Sequence, residues 1–231
     1  MPLEILAAIL VAIAVLVWIY RRDRRRFEVE RAMLFDDVRG LLGDAEIIRA
    51  PGEYPKLRGK YRGHDIAIDA VVDHIAVRKL PSLWLRVTAL APIPFAGTCD
   101  ILARAHNVEF FSPSIDLNHG VLRPAHWPDH LTIKTDDPAT MPPQALLDAH
   151  IGAFGDERMK ELLITSRGVR LVRQVAQGSR AEYMVLRQAL FGPVVVERSL
   201  LAGMLDAVIG LADDLRKGAA AAPAKDAADH E

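Results

Sequence analysis

Five side chains able to move protons or ligate a metal fall between positions 64 and 74: His64, Asp65, Asp69, Asp73 and His74. Paired carboxylates can share acid and base roles or hold a cation. Ile66, Ile68, Ala70 and Val72 alternate with Asp65, Ala67, Asp69 and Val71, the pattern of a half-buried strand. On a strand Asp65, Asp69 and Asp73 share a face, but neighbours in that series stand about 13 Å apart at 3.3 Å per residue. They reach no common small ion unaided, and the series reads as a solvated strand face.

A second group is His119, His126 and His130 with Asp116 and Asp129. Two histidines four apart chelate zinc when they share a helix, yet Pro128 lies between His126 and His130 and disfavours one. Cys99 is the only cysteine. A nucleophilic thiol needs a base and a lowered pKa, for which His106 is the candidate; a small buried hydrophobe at a strand start is the commoner role. Ser112 and Ser114 flank Pro113 and read as turn residues. The chain has no Gly-x-Ser-x-Gly elbow, no Walker loop and no Gly-x-Gly-x-x-Gly fingerprint. The expectation is no catalytic residue, no metal and no cofactor, with the balance against an enzyme.

The remaining candidates are surfaces. Lys56, Arg58, Lys60 and Arg62 alternate with Leu57, Gly59 and Tyr61, so an extended segment projects all four cations from one side. Together with Arg21, Arg22, Arg24, Arg25 and Arg26 they suit an anionic leaflet, where each charge gains roughly 1 kcal/mol. A topology signal followed by a lysine-protected edge strand accounts for them equally. Arg78, Lys79 and Trp84, in Val77-Arg-Lys-Leu-Pro-Ser-Leu-Trp-Leu85, are candidate partner contacts; Trp84 also reads as a core residue of its strand.

These groups hang on an anchor. Ile5 to Tyr20 is uncharged and almost wholly apolar, and Arg-Arg-Asp-Arg-Arg-Arg follows at 21–26. With Pro2 and Leu3 it approaches the ~17 residues needed to cross a bilayer. Trp18 and Tyr20 suit the interface beside the arginines. No basic residue precedes the run, and aromatics and arginines end it, which is unlike a cleaved signal peptide. The positive-inside rule sets the Arg end in the cytosol and the N-terminus outside.

Of 29 Lys+Arg and 30 Asp+Glu, residues beyond 26 hold 24 and 28. That mild acidity speaks against a nucleic-acid partner. The chain divides into an anchor (1–20), a basic juxtamembrane segment with an amphipathic helix (21–43), a soluble domain (44–217) and a disordered tail (218–231). Helical spacing at 27, 34, 38, 41 and 42 precedes a stretch broken by Pro51, Gly52, Pro55, Gly59 and Gly63. Strands are expected at 64–72, 83–91, 98–105 and 131–135, and a hairpin about Arg167-Gly168. Ser179-Arg-Ala-Glu182 has the form of a capping box, and a last helix presents Leu201, Met204, Leu205 and Val208 on one face. Strands first and helices last give an α+β fold, a mainly antiparallel sheet with helices on one side.

The Arg21–Arg26 stop, Tyr61-Arg-Gly-His64 entering a strand, the 77–85 segment and Lys160-Glu-Leu-Leu-Ile-Thr-Ser-Arg-Gly168 together resemble uncharacterised bacterial single-pass membrane proteins with a cytosolic α+β domain. The resemblance implies the layout and no activity. The expected function is a non-catalytic, membrane-anchored interaction or assembly domain with the lipid bilayer and a membrane protein as partners. A membrane-surface enzyme on a lipid-like substrate and a lipid-binding module are the alternatives. A reporter active only in the cytosol, fused after Asp213, should be active; activity of a periplasm-only reporter at that site would reverse the orientation.

Overall fold

Thirty residues, Leu3–Ala32, form one uninterrupted helix, α1. At 1.5 Å per residue it is about 45 Å long, so the apolar run and the arginine-rich segment after it form one rod. Its best 18-residue window has a mean hydropathy of 2.2 and no burial against the rest of the chain. By length and composition α1 is able to cross a membrane. The structure, a computed structural model, describes residues 3–73, 80–104, 111–186 and 189–221.

The rod enters the domain core without a linker. A 3-10 turn, Met33–Val38, follows at once, and its Leu34, Phe35 and Val38 are buried. Val196 N–H donates to Leu34 O at 2.9 Å, tying the turn to the far end of the chain.

Nine strands then build a single antiparallel sheet: β1 (Gly43–Ile48), β2 (Lys56–Tyr61), β3 (His64–Val72), β4 (Ser82–Leu90), β5 (Thr98–Ala103), β6 (His119–Val121), β7 (Leu131–Thr135), β8 (Met159–Thr165) and β9 (Gly168–Gln177). Their spatial order is β1-β2-β3-β4-β9-β8-β5-β7-β6. The proline- and glycine-rich stretch at 44–63 therefore holds two strands rather than an irregular segment, with Pro51, Gly52 and Pro55 confined to the link between them. β2 is covered by β1, so the expected edge at Lys56–Arg62 lies one strand further out. Gly59 permits that pairing, because a Cβ there would lie 2.8 Å from Gly43 O.

Three further α-helices lie among the described residues: α2 (Gln144–Asp148) and α3 (Arg180–Leu186), of five and seven residues, and α4 (Arg198–Ala221), of twenty-four. α4 lies across β4 and β9. Leu201, Leu205, Val208, Leu211 and Ala212 meet Leu83, Leu85, Val87, Ala89, Val169 and Leu171 in one buried cluster. Each large side chain buried there contributes about 1.5–3 kcal/mol. The expected α+β class and one-sided helix are what the fold has. α4 takes in the first four residues of the expected disordered tail, 218–221; residues 222–231 lie outside the described residues.

The β8–β9 turn demands glycine at 168. Its φ is +150°, and a Cβ would sit 2.1 Å from Ala89 O of the neighbouring strand. Gly168→Ala should cost about 2–4 kcal/mol, whereas Gly152→Ala, with nothing within 4 Å, should be nearly neutral. Thermal melts of the detergent-purified chain distinguish the two; equal midpoints would refute the strain.

Candidate functional site on the polar sheet face

The pleat sends neighbouring residues to opposite faces. With Leu83, Leu85 and Val87 under α4, Trp84, Arg86 and Thr88 must face away. The registers Asp69↔Arg86, Arg86↔Val172 and Val172↔Glu161 run one row across that second face. Thr88↔Arg170, Arg170↔Leu163, Leu163↔Asp100 and Asp100↔Lys134 run the next. Three cations and three carboxylates therefore lie in two adjacent rows contributed by six strands.

One half of this face is covered. Arg170 donates through Nη2 to Phe111 O at 3.3 Å, Ser112 Oγ donates to Asp100 Oδ2 at 2.8 Å, and Lys134 Nζ donates to Ser114 O at 2.8 Å. Ser114 N–H in turn donates to Ser112 Oγ at 3.1 Å. Ser112 and Ser114 are thus more than turn residues, because they tie a loop to a buried acid. Phe111 packs on Trp84, with ring centroids 5.4 Å apart, and both rest on Val172. Trp84 is accordingly buried on the face opposite α4, outside the main core. Arg78 and Lys79, its expected companions, lie outside the described residues.

Under that cover Asp100 and Glu161 are fully buried. Arg170 holds Glu161 Oε2 at 3.2 Å. Burial outweighs this pairing: the loss of water, then the Asp100 charge, push Glu161 up to about 7. Burial likewise raises Asp100 to about 6, against the hydrogen bonds from Ser112 and Ser114. Asp100 Oδ1, Glu161 Oε1 and Trp84 Nε1 have no hydrogen-bond partner among the described residues. Neither acid was singled out by the sequence, because each stands alone there and gains its meaning from strands paired across the sheet.

The other half is open. Lys56, Arg58 and Lys60 project from β2 on this side, as the alternation predicts. Arg62 does not join them. Arg62 and Gly63 form the β2–β3 turn with φ of 49° and 85°, and Arg62 pairs with Asp206 of α4 at 3.0 Å on the opposite face. Two positive φ values suit the tight turn that matches strand twist, and they end the alternation. Lys60 pairs with Asp65 at 2.8 Å and Lys56 with Glu53 at 3.3 Å. Asp69 is gripped by Arg86 through both Nε (2.9 Å) and Nη2, so this acid is part of a half-buried pair rather than a purely solvated face.

The histidines are dispersed. His126 pairs with Asp148 at 2.9 Å, His150 with Asp214 at 3.0 Å and His64 with Asp213 at 3.5 Å. His130 lies 3.8 Å from its neighbour Asp129, and His119 opens β6. His74 and His106 lie outside the described residues. Among the described residues no three His, Cys, Asp or Glu side chains converge to hold a metal. Cys99 is buried, and burial with the nearby Asp100 and Asp136 charges raises its thiol to about 12, the reverse of an activated nucleophile.

The chain matches no protein-family model, no curated protein and no solved structure.

At the C-terminal end of α1, Arg31 donates to Gly52 O and lies over the Tyr54 ring, 5.6 Å from its centroid. Of the juxtamembrane arginines, Arg24 and Arg26 pair with Glu28 and Glu30 one turn on, and Arg22 stacks 5.4 Å from the Trp18 ring centre. No carboxylate pairs with Arg21 or Arg25 among the described residues. A cleft of ≈680 Å³ separates this end of α1 from the sheet, reaching from Phe27 and Arg31 to Asp69 and Arg86.

The buried acids set a pH dependence. Their folded values exceed the ordinary carboxylate range, so between about pH 4 and pH 7 the native state keeps protons that the unfolded chain has released. Their contribution is complete below that window and declines as pH rises through it. Glu161→Gln stays neutral throughout. Its stability relative to the parent should therefore rise from pH 5 to pH 8, by on the order of 1–3 kcal/mol. A pH-independent difference in denaturation midpoint would contradict this.

Proposed function

We propose that this chain is a non-catalytic interaction or assembly domain, held by α1 on the cytoplasmic face of a bacterial inner membrane. Its working surface is the open half of the polar sheet face, and its partner is a molecule of that membrane. One observation carries the reading. α1 passes into the buried Leu34–Val38 turn with no flexible link, and Arg31 clasps the loop before β2. The same end of the sheet is therefore always nearest the anchor, and that end holds the cleft with Arg31, Lys56 and Arg86. Phe27 follows Tyr20 by seven residues, about 10 Å of helix, which sets the cleft at headgroup level when the apolar run is in the bilayer. The Arg21–Arg26 cluster lies between the span and the domain, in keeping with a cytosolic domain.

A membrane-surface enzyme is the second reading. It is favoured by Glu161, whose burial raises its pKa to about 7 and which lies in the same row as Arg86, two strands across. Against it, Glu161 is fully buried and one of its oxygens is engaged by Arg170.

A photo-crosslinking residue introduced in native membranes at Thr88, on the open face, should give a light-dependent adduct. The same residue at Asp206, exposed on α4, should not. Adducts from Asp206 alone would move the working surface to the helix side and reject this reading.

A further inference from the structure

Beneath Thr88 lies a smaller pocket of ≈150 Å³, lined by the cations Lys56, Arg58, Arg86 and Arg170 and by only one carboxylate, Asp69. We infer that this pocket holds the phosphate group of an anionic membrane lipid, whose apolar part runs out along the larger cleft toward α1. The inference rests on the interaction-domain reading and names the occupant of its surface.

Four observations carry it. The first is charge. The domain beyond residue 26 is mildly acidic, with 24 basic and 28 acidic side chains, so a four-to-one excess of cations around one pocket is local and opposite to the average. Arg86 is balanced by Asp69. The pair that Lys56 makes with Glu53 is exposed on both sides, and such pairs hold weakly. Arg58 has no carboxylate partner among the described residues. Arg170 faces Glu161, whose burial disfavours the ionised acid, so the guanidinium charge is only partly balanced.

The second is chemistry. Three of the four cations are arginines, whose planar forks match phosphate oxygens with two parallel bonds each. Thr88 adds a hydroxyl to the same wall.

The third is size and continuity. The pocket suits a phosphate-sized group and is too small for a whole lipid. It shares Lys56, Asp69 and Arg86 with the ≈680 Å³ cleft. Val71, Leu190 and Phe27 supply that cleft with apolar wall, which inorganic phosphate would leave unused.

The fourth is position. Phe27 lies on the first turn of α1 beyond the arginine cluster, and the cleft reaches from there to the basic pocket. A lipid can enter from the headgroup layer with little displacement.

The test uses the full chain in a neutral, non-ionic detergent, titrated with dioctanoyl phosphatidic acid and read by native mass spectrometry. One lipid should be retained per chain. Arg58→Gln should weaken retention about tenfold or more, and Arg58→Lys should keep part of it. Lys60→Gln, on the same strand but outside the pocket and already paired with Asp65, should bind as the parent does. Arg58 is exposed and has no carboxylate partner among the described residues, so both of its variants should keep the parent's melting midpoint. Dioctanoyl phosphatidylcholine, and inorganic phosphate at the same concentration, should bind at least tenfold more weakly. Parental affinity in Arg58→Gln, or equal retention of phosphatidylcholine, would overturn the site. Inorganic phosphate binding as tightly as the lipid would overturn the lipid as its source. A chain that gives the Thr88 photo-adduct as cross-linked protein and retains no lipid would overturn this inference alone and leave the interaction-domain reading in place.

Discussion

The seam between α4 and the centre of the sheet governs the rest of the molecule. Leu201, Leu205 and Val208 can bury themselves only against an apolar sheet face, and Leu83, Leu85, Val87, Val169 and Leu171 provide one. Burial at about 25 cal/mol per Å² makes any one-residue slip of β4 or β9 prohibitive, because a slip would turn every side chain over. Once those residues point toward α4, the pleat leaves Arg86, Thr88 and Arg170 no choice but the other face. The polar surface is in this sense the obligatory reverse of the hydrophobic core.

That reverse face manages its charges in two ways. On the covered half, Asp100 and Glu161 lose their water, and the structure meets the cost by raising their pKa values and by surrounding them with Arg170 and the hydroxyls of Ser112 and Ser114. Burial makes the ionised form of each acid costly, so below about pH 6 both favour the neutral state. The same bonds bring the 111–114 loop down over Trp84 and Val172. On the open half the cations outnumber the acids, and the surface is left accessible at the end next to α1.

The N-terminal helix adds orientation. Running unbroken from the apolar segment to Ala32, then straight into a buried turn, it fixes its own direction relative to the sheet. A flexible linker of the same length would leave the two directions independent. Surface pairs such as Arg26–Glu30 lie along this rod, but solvent screens them and they hold weakly. The buried Leu34, Phe35 and Val38 make the firmer joint.

Much of this was legible in the linear chain because it depends on short-range periodicity. The apolar run and its arginine stop, the alternation through Ile66 and Ile68, the Arg167-Gly168 hairpin and the apolar stripe of α4 are all local patterns, and each became the element it suggested. The strands at 43–48 and 56–61 were obscured by glycines and prolines, whose breaking effect falls on the link between them while Gly59 is required by the close approach of the Gly43 backbone. Arg62 continued the alternation in sequence, but two positive φ values turned it to the opposite face. The polar rows were beyond the reach of the sequence altogether. Asp69, Arg86, Arg170, Glu161 and Asp100 come from five strands spread over about a hundred residues, and only the order β3-β4-β9-β8-β5 makes them neighbours. Periodicity determines which way a side chain points from its own strand; the choice of partner strand is a long-range competition for burial, and tertiary structure alone decided it.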